Sequence, residues 1–110
     1  MTDTLLDTAS SVEIWPPILR PGERIHVAIR ATRVVGTMSL PVYRISIVDP
    51  RRRRVATLLH GRSRPIQGVV CVEWDGRDDE GRSVAPGDYR LRVERLGSPS
   101  WLERPLRVEL

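Results

Sequence analysis

The chain has no lysine, no asparagine and no phenylalanine, and its 110 residues include a single cysteine, Cys71. One cysteine cannot close an intrachain disulfide and lends no support to an oxidising compartment. Lying in a strand-like run, Cys71 reads as a small buried or half-buried residue. No stretch approaches the roughly 18 apolar residues that a membrane span requires. Residues 1–11 carry Asp3 and Asp7 and no basic flank leading into an apolar run, so they do not read as a secretory signal. These absences imply synthesis in the cytoplasm without a cleaved signal. The final site is then the cytoplasm, a virion or tail-like particle, or an appendage exported by another route. The chain also lacks HExxH, HxxEH, a Gly-rich phosphate loop and a GxSxG elbow, so no motif calls for a metal, a cofactor or a catalytic nucleophile.

What is present is arginine. All 18 cationic side chains are Arg against 14 acids, a formal net charge of +4. Arg makes planar, bidentate contacts with carboxylates and phosphates, yet a GC-rich genome would remove Lys and Asn without any functional pressure. A chain of this length buries roughly two-thirds of its unfolded surface, enough for one small core.

Period-two alternation runs through most of the chain. Ile25, Val27 and Ile29 alternate with His26, Ala28 and Arg30; Tyr43, Ile45 and Ile47 with Arg44, Ser46 and Val48. Val70, Val72 and Trp74 alternate with Cys71 and Glu73, and Tyr89, Leu91 and Val93 with Arg90, Arg92 and Glu94. Val12 to Trp15, Arg54 to Leu59 and Arg104 to Leu110 supply three shorter strands, with the first and last expected on the outside. The sum is an all-β chain of about seven strands, an antiparallel sandwich of immunoglobulin-like or fibronectin III-like type spanning residues 12–110 behind an extension at 1–11. Ala31 to Pro41 reads as a loop or a short extra edge strand.

The segment Val72 to Val93 specifies its own hairpin. Asp75-Gly76 and Glu80-Gly81 place Gly where the backbone needs positive φ, and the Asp side chains can cap neighbouring amides. The run Trp74-Asp75-Gly76-Arg77-Asp78-Asp79-x-Gly81-Arg82-x-Val84-x-Pro86-Gly87-x-Tyr89 resembles the signature of the immunoglobulin-like domain of flagellar hook-capping proteins. Trp15 to Glu23 resembles that family's opening Pro-rich strand and Pro-Gly turn, and Ile45 to Asp49 with Val55 to Leu58 its central hairpin. The resemblance covers roughly residues 12–96. It implies a sandwich without catalysis that acts within a bacterial assembly. It also implies Gly at the hairpin tip where this chain carries Arg52, so an altered turn is expected there.

Three groups of side chains are candidates for function. Asp75, Asp78, Asp79 and Glu80 could lend oxygens to a hard cation, but the spacing is not that of an EF-hand, and Arg77 and Arg82 can neutralise them; a capped, salt-bridged turn is the expectation, with no metal. Arg51, Arg52, Arg53 and Arg54 form a basic knob that, with Arg62 and Arg64, could dock on phosphates or an acidic surface, or be a solvated turn. Of the three tryptophans, Trp74 reads as a core residue closing one end of the sandwich, Trp15 as a similar anchor, and Trp101, in a stretch without alternation, as the exposed contact. His26 is expected on a solvent face and His60 at a strand end, neither in a pocket suited to acid and base work. The sequence therefore favours a non-catalytic structural or assembly module with protein partners in a multisubunit machine. The alternative is an Arg-mediated binder of an anionic polymer, nucleic acid or acidic polysaccharide.

Overall fold

The computed structural model describes residues 9–31, 42–62, 69–95 and 101–109. They form eight strands: β1 (Ala9–Trp15), β2 (Ile18–Leu19), β3 (Ile25–Ala31), β4 (Val42–Val48), β5 (Arg54–Arg62), β6 (Val69–Trp74), β7 (Gly87–Arg95) and β8 (Trp101–Val108). A three-stranded sheet has the order β1-β3-β6, and a five-stranded sheet the order β2-β8-β7-β4-β5. The loop-or-strand expectation for Ala31 to Pro41 falls almost wholly outside the described residues.

Alternation decides which side chains meet between the sheets. Ile25, Val27, Ile29, Val70 and Trp74 come from one sheet, and Tyr43, Ile45, Ile47, Leu91, Val93 and Leu106 from the other, all buried in one core. Each large aliphatic side chain taken fully out of water there contributes roughly 1.5–3 kcal/mol of gross stabilisation. Trp74 closes one end of the core at 2% exposure, tilted against Tyr89 with ring centroids 6.0 Å apart.

The seven expected strands are all present, with four differences. The two-residue β2 is added, paired in parallel with the end of β8 through Ile18↔Arg107 and Leu19↔Val108. Two residues are too few to display a period. β8 begins at Trp101, because β7 extends far enough to pair Glu94 with it, so Trp101 lies in a strand and not a loop. Its sheet position is also internal: β7 lies on one side and β2 on the other at its carboxyl-terminal end. Finally, Trp15 and Cys71 are exposed. Val12 and Ile14 turn toward the core, so Glu13 and Trp15 share the opposite face of β1, and Cys71 shares the outer face of β6 with Glu73.

Candidate functional site

The basic knob is the β4–β5 connection, and Asp49 builds it. Its Oδ1 accepts the backbone N–H of Arg51 at 2.9 Å and of Arg53 at 2.8 Å, while its own N–H reaches the Arg53 carbonyl at 2.9 Å. The Arg53 guanidinium adds an ion pair at 3.3 Å. The Arg53 amide, more than any other group, holds the Asp49 carboxyl below its ordinary range, with the Arg51 amide and the Arg53 charge adding to it against a smaller opposing effect of burial. Arg52 has φ 65°, the left-handed region that glycine favours. The altered turn expected from the missing Gly is therefore not seen: the tip keeps a glycine-type conformation and the arginine adopts it.

Among the described residues, Arg51, Arg52 and Arg54 have no carboxylate within ion-pair distance, whereas Arg53 has Asp49. Among the described residues Arg51 and Arg52 thus stand without an ion pair at the tip, while the Glu94 carboxyl, held below its usual range first by its hydrogen bonds to Arg44, is lowered further by the Arg54 charge. Arg62 does not join them. It ends β5 eight residues beyond Arg54, about 26 Å along an extended strand, and Arg64 lies outside the described residues.

An open groove connects the knob to the second predicted contact. Val48, Asp49, Pro50 and Arg52 line one end and Trp101 the other, with Arg90, Arg92 and Glu103 between them on the outer face of the five-stranded sheet. Trp101 is 47% exposed, and the Arg92 guanidinium sits 4.7 Å from its ring centroid, a cation–π contact that holds the indole in place. The neighbouring arginines are balanced. Arg44 grips Glu94 through two hydrogen bonds of 3.0 and 3.2 Å, and this contact with Arg44 keeps the Glu94 carboxyl below its usual range. Arg90 and Arg92 both face Glu103, at 3.9 and 3.8 Å. Sequence reasoning found Arg52 and Trp101 but not their shared groove, because their connection runs through β7 pairing with both β4 and β8.

The acidic turn spends its carboxylates on backbone amides and on its own arginines. Asp75 accepts the Arg77 amide at 3.1 Å, Asp78 accepts the amides of Glu80 and Arg82 at 2.9 Å each, and Asp79 accepts the Thr57 amide across the sandwich at 2.8 Å. Arg77 pairs with Asp75 and Arg82 with Glu80. Among the described residues no group of three or more His, Cys, Asp or Glu side chains is placed to hold a metal ion. Gly76 and Gly81 have φ of 84° and 85°. At Gly76 a Cβ would lie 2.8 Å from Leu19 Cδ2, so the position requires glycine for space as well as for conformation. The Trp74 indole N–H donates to the Arg77 carbonyl at 2.8 Å, and the Tyr89 hydroxyl to the Ala85 carbonyl at 2.6 Å. Burial, then the nearby Asp49 charge, push the Tyr89 phenol above its usual value. Gly87 opens β7, two residues before that tyrosine.

The other sheet offers a different surface. Trp15 is 69% exposed, and its ring stacks on His26 with centroids 5.6 Å apart. His26 Nδ1 lies 3.2 Å from Glu73, which also meets Arg24 at 3.5 Å. Glu13, Ala28 and Cys71 complete a shallow depression beside the indole. His60 is exposed near the end of β5. The burial of Ile14 was the signal for Trp15: residues on either side of an inward side chain in a strand point outward.

This geometry defines the class as a small all-β sandwich with two outer faces of different chemistry. No family model and no curated protein matches the chain. Over 97% of its length it is similar to part of PorZ, an essential bacterial surface component of the type-IX secretion system of Porphyromonas gingivalis, with a TM-score of 0.60 and 21% identity. Over 91% of its length it is similar to part of the alkylpurine DNA glycosylase AlkC of Pseudomonas fluorescens, bound to DNA containing an abasic-site analogue, with a TM-score of 0.56 and 18% identity. The chain spans 12% and 29% of the lengths of those two proteins, so the likeness is one of fold. Among the described residues, no helix is long and apolar enough to cross a membrane.

Proposed function

We propose that this chain is an immunoglobulin-like sandwich of the hook-capping type that works without catalysis, as a small subunit, cap, adaptor or decoration module in a larger bacterial or phage-like assembly. The observation that carries the reading is the pair of indoles held still in solvent, Trp15 on His26 and Trp101 under Arg92. An ordered, exposed indole has little rotamer freedom left to lose on docking, which is why tryptophan dominates protein interface energetics. The immunoglobulin-like type is supported by the Tyr89 hydroxyl bonding back to a carbonyl four residues upstream at the start of its strand, the arrangement of a tyrosine corner. Absence of catalysis is supported by the acids and His26 being engaged with backbone amides and neighbouring side chains. The assembly reading is supported by a fold similarity to part of PorZ, described as an essential surface component of a secretion system.

The test is affinity purification of the tagged chain from its native cells at moderately high salt, followed by mass spectrometry. A shell, tail, tube or filament protein recovered at comparable stoichiometry, and lost with Trp15→Ala or Trp101→Ala, is the expected result. Recovery of the chain alone would refute the reading.

Arg51, Arg52 and Arg54, none of them in an ion pair among the described residues, favour a second reading, capture of an anionic polymer. Three phosphate contacts on duplex DNA would give log K against log salt a slope of roughly −2.7, from about −0.9 per contact. Replacing Arg51 to Arg54 with Ser would abolish such binding and leave a strand-mediated or indole-mediated interface intact.

A further inference from the structure

We propose that β6 is a pairing edge and that its occupant is the β6 of a second copy of this chain, set antiparallel about a two-fold axis. The inference begins with how the sandwich treats its other edges. An open strand edge presents unpaired amides and carbonyls, and proteins blunt such edges with bulges, proline, misplaced charge, brevity or a covering loop. β1 has a register break between Ala9 and Ser11 and runs into Pro16-Pro17. β2 has two residues. β5 has two irregularities against β4, and Asp79 covers its start: the Asp79 amide donates to the Val55 carbonyl at 3.0 Å, and its carboxylate accepts the Thr57 amide.

The part of β8 that β2 leaves uncovered is blunted as well. Arg107 and Glu109 donate their amides to β2, at the carbonyls of Pro17 and Leu19. Backbone direction alternates along a strand, so residue 105 also faces the open side. That residue is proline, which has no N–H to offer. Arg104, which alternation sets on the side of Leu102 and Leu106, is exposed, a charge at the rim of this edge.

Among the described residues, β6 carries none of these devices. All six residues hold a regular register with β3, and among the described residues no strand pairs with its other side. Its sequence, Val69-Val70-Cys71-Val72-Glu73-Trp74, combines high strand propensity with one charge and no proline. On the same side of the sandwich lie Val55, Leu58, Leu59 and Val72, which are half-buried against the core and left partly open to water.

A second copy fits this edge because the strand is complementary to itself. Opposite residues in an antiparallel pair share a face, so the axis passes through a residue, Cys71 or Val72 at the strand centre. An axis at Cys71 sets Val70 against the partner's Val72, and Val69 against the partner's Glu73. An axis at Val72 sets Cys71 against the partner's Glu73. Neither opposes Glu73 to its own copy, and within each chain Arg24 pairs with that carboxylate at 3.5 Å. The product is a continuous six-stranded sheet that leaves Trp15, on the far edge strand of each copy, free for other contacts.

The inference deepens the assembly reading and rests on it, yet the two can fail separately. The experiment is sedimentation equilibrium of the full chain over a wide concentration range, with Cys71→Lys/Glu73→Lys as the variant. Both side chains are exposed, and the variant opposes Lys to Lys whichever residue lies on the axis. The expected result is a two-chain mass and a concentration-dependent melting temperature for the natural sequence, and for the variant a one-chain mass with a cooperative melt that no longer depends on concentration. If the variant fails to fold, the rate of maleimide attack on Cys71 decides: self-pairing makes it fall severalfold as concentration passes the dimer range. A one-chain mass throughout, a dimer indifferent to the variant, or a Cys71 rate independent of concentration overturns the proposal. A monomer that captures a stoichiometric foreign protein would overturn self-pairing and leave the assembly reading standing.

Discussion

Arg52→Gly is expected to stabilise the fold, although it deletes a large side chain. With φ at 65°, Arg52 carries its Cβ close to the following carbonyl, a cost of about 1–2 kcal/mol for an L-residue. Glycine removes that cost but adds freedom to the unfolded chain, worth about 0.4–1 kcal/mol in the other direction. The net gain is about 0.5–1 kcal/mol, which for a domain of this size raises the melting temperature by roughly 2–6 °C. Part of any change could come from relieving repulsion in a run of four arginines, and two controls separate that contribution. Arg52→Ala removes the charge and keeps the strained φ; Arg51→Gly removes a charge where no positive φ is present. Urea unfolding followed by tryptophan fluorescence measures all three, with equal m-values required for comparison. The reasoning is refuted if Arg52→Gly is no more stable than Arg52→Ala. If it is more stable but loses a partner or polymer that Arg52 contacts from the groove, the strain is retained for binding.

Three further outcomes are expected. Gly76→Ala should lower stability by about 2 kcal/mol or more, because the left-handed φ and the approach of Leu19 penalise the methyl together; calorimetry measures it. Asp79→Ala should cost about 0.5–1.5 kcal/mol and speed hydrogen exchange at the Thr57 amide, which the carboxylate caps. Acid should destabilise the fold through Asp49 and Glu94. Both carboxyls titrate below their ordinary values when folded, so their contribution is complete above the ordinary carboxylate range, near pH 4, and is lost as pH falls through the lower folded values. Asp49→Asn should flatten the fall in melting temperature between neutral and acid pH.

The strands were legible because a half-buried sheet writes itself as alternation, and Tyr89 to Val93 is the plainest case. The hairpin at Asp75–Gly81 was legible for a different reason: its Gly and Asp residues each solve a local backbone problem. What could not be read was anything set by partners distant in the chain. Strand order decides that β8 is flanked and, among the described residues, β6 is not, and pairing with β7 is what carries β8 from Arg104 back to Trp101, through three residues without alternation. Arg52 is an intermediate case. The glycine found at its place in the resembling family marked a special φ, but local sequence could not say whether the turn or the residue would yield. The Asp49 carboxylate, anchoring amides on both sides of Arg52, holds the turn.

The parallel pair of β2 and β8 gives the domain a mechanical character. β1 and β2 lead into one side of this pair, and β8 forms the other, joined by the Arg107 amide on Pro17 and the Glu109 amide on Leu19, at 2.9 and 2.8 Å. Tension drawn through β1 at one end and β8 at the other is borne by the β1–β3 ladder and, between β2 and β8, by these two bonds side by side in shear, not one after the other as in unzipping. Arg107 and Val108 also pair with Asp88 and Gly87 of β7, so the clamp and the end of the β7–β8 ladder share the load. A subunit pulled between neighbours in a tube or filament would thus meet part of its resistance at this short clamp, and because Leu19 is also a core residue, loosening the clamp would lower rupture force and stability together.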